Sequence, residues 1–207
     1  MDFVVDILAR IYNVEDIIRW GGIAMISAII FTETGLMLGF FLPGDSLLVS
    51  AGIFVAAGHL NLYTLLIIVS LSAVVGDQLG YYIGRKTGQA LFTKEDSLLF
   101  KRSHILRARL FYERYGGKTI VLARFIPIIR TFAPVVAGVG QMNYRRFVSY
   151  NIFGGILWVF AMVLGGYLLG TSVPNINKHI HIVIAIVIFL SIMPGIIELL
   201  RSRKKAS

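Results

Sequence analysis

Two long hydrophobic segments of this chain are interrupted by charge, where a membrane-embedded fold tolerates it least. The first, residues 21–58, includes FTETGLMLGFFLPGDSLLVSAG and carries Glu33 and Asp45 as its only charged side chains. The second, residues 119–142, includes ARFIPIIRTFAPVVAGVG and carries Arg124 and Arg130. A charge at bilayer depth costs roughly 3 kcal/mol or more, so such groups line a cavity, pair with each other or handle a substrate. Two acids in one segment and two arginines in the other point to one shared site.

Composition sets the environment. Hydrophobic residues make up 57% of 207 and the mean hydropathy is +0.78, which marks an integral membrane protein. This length fits one compact transmembrane domain over residues 1–207, with no separate soluble module. The net charge is +9. Its basic residues lie beside apolar segments, so the partner expected for that charge is an anionic bilayer surface and not nucleic acid. With no cysteine, disulfides, thiolate catalysis and cysteine-ligated metals are excluded. No cofactor or metal is expected. The acids Asp2, Asp6, Glu15 and Asp16 mark a start that lacks the basic residues, apolar run and cleavage site of a signal peptide.

Along the chain, residues 3–19 place Val4, Ile7, Leu8, Ile11 and Ile18 at helical spacing among charges, which predicts an interfacial amphipathic helix within 1–20. Residues 22–57 are long enough to cross once, but Gly35, Gly39, Pro43 and Gly44 break the run between Glu33 and Asp45. Two half-length helices folding back as a re-entrant hairpin fit better, because non-helical backbone at that depth is tolerated when buried in protein. Residues 60–84 form a transmembrane helix with Ser72, Gly76, Gly80 and Gly84 every fourth residue, extended by Gly88. Such a stripe admits a close neighbour helix. Asp77 beside it either pairs with Arg85 or joins the site. Residues 85–118 carry nine Lys or Arg and read as a cytoplasmic amphipathic segment. The second broken segment, 119–142, is interrupted by Pro127, Pro134 and Gly138. Residues 147–173 make a second span with Gly166 and Gly170, and 182–200 a third before the basic tail RSRKKAS.

Charge then sets topology. The basic centre and tail belong in the cytoplasm, which leaves residues 175–181 outside and makes both broken segments re-enter, from opposite faces. The expected fold class is an all-α integral membrane protein. It is an inverted repeat of amphipathic helix, re-entrant hairpin and transmembrane helix, plus a C-terminal transmembrane helix. FLPGD with a later Ala51–Gly52 echoes FIPIIR with a later Ala137–Gly138. Inverted repeats meeting at broken helices are a recurring transporter design.

The segments ETGLMLGFFLPGDSLL, GDQLGYYIGRKTG and FYERYGGKTIVLARFIPIIRTFAPVVAG resemble the bacterial DedA family of the VTT-domain, or SNARE-associated, superfamily. The resemblance covers nearly the whole chain. It implies facing re-entrant loops and lipid translocation across the cytoplasmic membrane, dependent on the proton motive force. Family members have been linked to undecaprenyl phosphate recycling and to phospholipid flipping. The family's acidic pair falls on Glu33 and Asp45, and its arginine pair on Arg124 and Arg130.

The chemistry agrees with such a role. Arginine's planar fork holds phosphate through two parallel hydrogen bonds, and its charge does not titrate away. Buried carboxylates can take up and release protons. If Glu33 and Asp45 pair with Arg124 and Arg130 in the empty site, protonating the acids frees the arginines for a phosphate headgroup. Asp77 is a possible accessory. The bland alternative is a static ion-pair lattice, though such lattices seldom add stability over apolar packing. A membrane lipid phosphatase is a rival, but His59, His104, His179 and His181 lie away from the charged segments. Ser46, beside Asp45, reads as a helix cap. A proton-coupled cation or drug exporter would leave the arginines unexplained. A transporter and not an enzyme is therefore expected, with oligomeric state open. His179 and His181 read as a polar connector, Tyr81 and Tyr82 as an interfacial belt, and Trp158 as mid-span packing.

Overall fold

The computed structural model describes residues 14–36, 44–92, 110 and 116–172. Among these every regular element is a helix: α1 Val14–Gly35, α2 Gly44–Ala56, α3 Leu62–Phe92, α4 Lys118–Ala123, α5 Pro127–Val139 and α6 Tyr144–Ser172. The expected surface helices and the third span, at 182–200, lie largely or wholly outside the described residues.

Length sorts the helices. The apolar part of α3, Leu62–Gly88, has 27 residues and α6 has 29. At about 1.5 Å per residue each exceeds the roughly 30 Å hydrocarbon core of a bilayer. Helices α2 and α5 have 13 residues each, about 20 Å, too short to cross. Large apolar side chains stand exposed along α3 (Ile67, Leu71, Val75) and α6 (Phe153, Leu157, Leu168), as lipid-facing surfaces require.

Local signals explain the boundaries. Helix α1 bends at Gly22, whose φ of 52° and ψ of −145° suit only glycine. The kink separates two helical pieces, residues 14–21 and 23–35, so residues 14–20 lie in a piece of their own. Helix α2 ends where His59 N–H bonds Phe54 O and Gly58 N–H bonds Val55 O, with Gly58 at φ +81°. That is a Schellman cap. Asn61 then accepts from Thr64 N–H at 3.0 Å and starts α3. The same sequence of events recurs. Met142 N–H bonds Ala137 O and Gln141 N–H bonds Gly138 O, with Gln141 at φ 54°, and Asn143 accepts from Arg146 N–H at 3.3 Å to start α6. A short helix, a left-handed cap and a long helix occur twice.

Two helix boundaries depart from expectation. The second broken segment is interrupted only at 124–126. Ile126 is extended (φ −119°, ψ 106°) because it precedes Pro127, whose ring disfavours helix at the preceding residue. Pro134 and Gly138 lie inside α5. Ser46 sits within the first turn of α2 and not at its cap.

The chain forms two compact units. One gathers the described residues of Met1–Ile30, Phe41–Leu71 and Trp158–Ser207, the other those of Phe31–Phe40 and Ser72–Leu157. In the first unit α2 is buried from Gly44 to Phe54. A Cβ on Gly52 would strike the Val163 and Tyr167 backbone, one on Gly166 the Val49 backbone, and one on Gly170 Ile53 and Ala56. In the second unit a Cβ on Gly138 would strike the Tyr81 and Arg85 backbone, one on Gly84 Val135, and one on Gly88 Val139. Each short helix thus meets the long helix to which it is not directly connected, through glycines that admit backbone-to-backbone approach. Tyr81, expected at the interface, is instead buried. It stacks on Phe147 at 4.5 Å between ring centroids and donates to the Met142 carbonyl. Tyr82 is exposed.

Candidate functional site

The second unit holds a buried polar network. Glu33 sits in the last turn of α1 and Arg130 in the first turn of α5, where Arg130 N–H closes on Ile126 O at 2.8 Å. Their side chains are 1% and 4% exposed, and Arg130 Nη2 donates to Glu33 Oε1 at 2.5 Å. The stripe residue Gly76 permits this placement. A Cβ there would collide with Thr34 Oγ1 and Phe31 O, so the end of α1 can lie on α3.

Arg124 caps the C-terminus of α4 and makes a different pair. Its Nη2 donates to Asp77 Oδ2 on α3 and to Asn151 Oδ1 on α6. Asn151 in turn donates through Nδ2 to the Val74 carbonyl at 3.0 Å. Space for the guanidinium comes from Gly154 and Gly155, where a Cβ would lie 3.2–3.4 Å from Arg124 atoms. Asp77 is 2% exposed and Arg124 1%. An unpaired charge so deeply buried would cost several kcal/mol, and that enforces the pairing.

In the first unit Asp45 lies in the first turn of α2, where a carboxylate favours exposed helix N–H groups. Its Oδ1 accepts from the indole Nε1 of Trp158 at 3.0 Å. Trp158 is fully buried, so it does more than fill space.

The outcome for the residues singled out in the sequence is therefore mixed. Glu33 meets Arg130, as one of the expected acid–arginine pairs. Arg124 meets Asp77, and Arg85, the other partner considered for Asp77, is exposed. Asp45 meets Trp158. Asn151 and the Gly154–Gly155 pair were not anticipated; a single asparagine inside an uncharged span was the available signal. His59 is exposed beside Phe54, and the other three histidines lie outside the described residues. No group of three acids or histidines able to hold a metal occurs among the described residues.

These features define a class: a helical membrane protein that has, among the described residues, two membrane-length helices, two half-length apolar helices and buried acid–arginine pairs. Residues 42–168 match the VTT domain. The chain is 41% identical over 211 residues to Protein DedA of Escherichia coli K12, covering 99% of this chain and 96% of that protein. It is 44% identical over 175 residues to a membrane protein of Mycobacterium tuberculosis H37Rv, 84% and 76% of the two chains. It is 33% identical over 167 residues to the inner membrane protein YghB of Escherichia coli K12, 81% and 74% of the two. No solved structure matches the chain. The chain belongs to the DedA family of VTT-domain membrane proteins.

Proposed function

We propose that this protein is a lipid translocase driven by the proton motive force, and that it recycles undecaprenyl phosphate across the bacterial cytoplasmic membrane. In this reading it is a transporter without enzymatic activity or cofactor, multi-pass with a cytoplasmic C-terminus. The half-length helices are arms of re-entrant hairpins in inverted repeats. Arg124 and Arg130 bind the phosphate headgroup, and Glu33 and Asp45 couple binding to protons.

One observation carries the reading: two arginines, each almost fully buried, are each held by a buried carboxylate. A cation–carboxylate contact is an exchangeable one. Protonating the acid weakens its hold, and a phosphate oxygen pair can then take the planar fork. The apolar tail of a polyprenyl phosphate meanwhile stays in lipid, against the exposed apolar faces of the long helices. A phospholipid headgroup presents the same phosphate, so the co-purifying lipid, identified by mass spectrometry, decides between the two lipids.

The test is translocation of undecaprenyl phosphate in proteoliposomes under an imposed proton gradient. Arg124→Lys and Arg130→Lys keep the charge but lose the fork, and each is expected to reduce translocation at least about tenfold while folded yield holds. Glu33→Gln and Asp45→Asn are expected to keep headgroup binding and lose the gradient dependence. Full activity of both Lys variants would rule out bidentate phosphate recognition. Loss of folded protein in every variant would leave a structural lattice as the explanation.

A further inference from the structure

The two hydrogens on Arg124 Nη2 account for its two bonds, one to Asp77 and one to Asn151. Nε and Nη1 of the same guanidinium are buried and have no hydrogen-bond partner among the described residues; the same is true of Asp77 Oδ1. A guanidinium offers an oxyanion two flat edges for paired hydrogen bonds, Nε with Nη2 and Nη1 with Nη2. Nη2 belongs to both. A phosphate therefore cannot take two parallel bonds on either edge while Asp77 and Asn151 both keep theirs.

Electrostatics selects the one that yields. Phosphate beside an ionised Asp77 would crowd two anions onto one buried cation, whereas Asn151 is neutral. Asn151 is also anchored from behind by its 3.0 Å bond to the Val74 carbonyl. The guanidinium is confined on the α6 side, where the Cα hydrogens of Gly154 and Gly155 leave it just enough room. Arg124 thus stays in place while its anion changes.

We propose that Asp77 is the carboxylate a phosphate group displaces from Arg124, and that Asn151 is a positioning residue that holds the guanidinium through the exchange. This rests on the reading of Arg124 as a headgroup ligand given above, and adds to it that Arg124 and Arg130 have separate carboxylate competitors, Asp77 and Glu33.

The experiment is equilibrium binding of farnesyl phosphate, a short prenyl phosphomonoester, to the full chain purified in detergent. Asp77→Asn keeps an acceptor for Arg124 but removes the competing charge. It is expected to bind at least about tenfold tighter, in line with the strength of one charged hydrogen bond. Asn151→Asp places a second carboxylate on Arg124 and is expected to bind at least about tenfold weaker. A role in folding alone would move melting temperature without sending the two affinities in opposite directions. Unchanged or weaker binding by folded Asp77→Asn would overturn the proposal. If that variant does not fold, unchanged or tighter binding by Asn151→Asp does so. Competition by inorganic phosphate at matched concentration would make free phosphate a ligand in the same exchange, and its failure to compete would make the ligand a lipid headgroup. Arg124→Lys separates the layers. If it retains wild-type affinity, the headgroup reading itself fails. If it loses affinity while Asp77→Asn does not tighten, only the exchange is refuted.

Discussion

Neutralising Glu33 and Arg130 singly and together measures what their pair does for the fold. Both side chains are at most 4% exposed, so removing one takes a buried counter-ion from the other. That situation costs about 3–5 kcal/mol, whereas replacing both partners by neutral groups is often close to neutral. Glu33→Gln is expected near the lower end of that range, because its amide oxygen can still accept from Arg130. Arg130→Gln is expected near the upper end, because it removes the cation that faces the Glu33 carboxylate. The double variant is expected within about 2 kcal/mol of wild type, well below the roughly 8 kcal/mol sum of the single effects, and that shortfall is the coupling. The assay is denaturant unfolding of the purified full chain in detergent, with Arg85→Gln as an exposed control expected within about 0.5 kcal/mol. Additive single effects, or single variants as stable as the control, would refute the claim that the two residues form one buried electrostatic unit.

Two further expectations follow from packing and topology. Leucine at Gly84 or Gly166 would drive a side chain into the Val135 or Val49 backbone and is expected to destabilise by about 3 kcal/mol or more. Gly165→Ala, with nothing within 4 Å of its Cβ, should gain up to about 1 kcal/mol of helix propensity; equal melting temperatures for all three variants would contradict the close-packing account. Because the chain has no cysteine, cysteines introduced at positions 12 and 177 should react with an impermeant thiol reagent added outside, and those at 97 and 204 should not. Labelling of position 12 only from the cytoplasmic side would remove the basis for hairpins entering from opposite faces.

Much of the helical plan was legible because membrane helices announce themselves through apolar length; the caps were not, since Ser46, the one residue expected to cap, lies inside α2. Gly58 and the asparagines at 61 and 143 sit where they must for those turns. The glycine stripe of α3 likewise announced a close neighbour, though not which one, since periodicity says nothing about partner identity. Pairing was harder. Opposite charges in two segments pointed to acid–arginine pairs, and Glu33 with Arg130 is one, but Arg124 takes Asp77, an acid outside both segments, and Asp45 also accepts from the indole of Trp158. One backbone event underlies part of this. Ile126 is extended before Pro127, so Arg124 ends one helix while Arg130 starts another, and each faces a different wall. A left-handed Gln141 in the role Gly58 plays could not be read from residue type, because glutamine rarely adopts that conformation.

The repeated geometry bears on why charge is buried here at all. The contacts that join α2 to α6 and α5 to α3 are made by Gly52, Gly166 and Gly170 in one unit and by Gly84, Gly88 and Gly138 in the other. They are approaches of backbone to backbone, or to an alanine methyl, and no charged side chain takes part in them. The scaffold thus has a means of holding short helix to long helix without Glu33, Asp77, Arg124 or Arg130. Those four residues add desolvation cost to a unit already packed by glycine, and a buried ion pair rarely outweighs apolar packing of the same volume. Arg124 even keeps two nitrogens buried without a partner among the described residues, an arrangement that stability alone would select against. A network that is expensive where it stands and unnecessary for the contact beside it is what the proposed headgroup site would require.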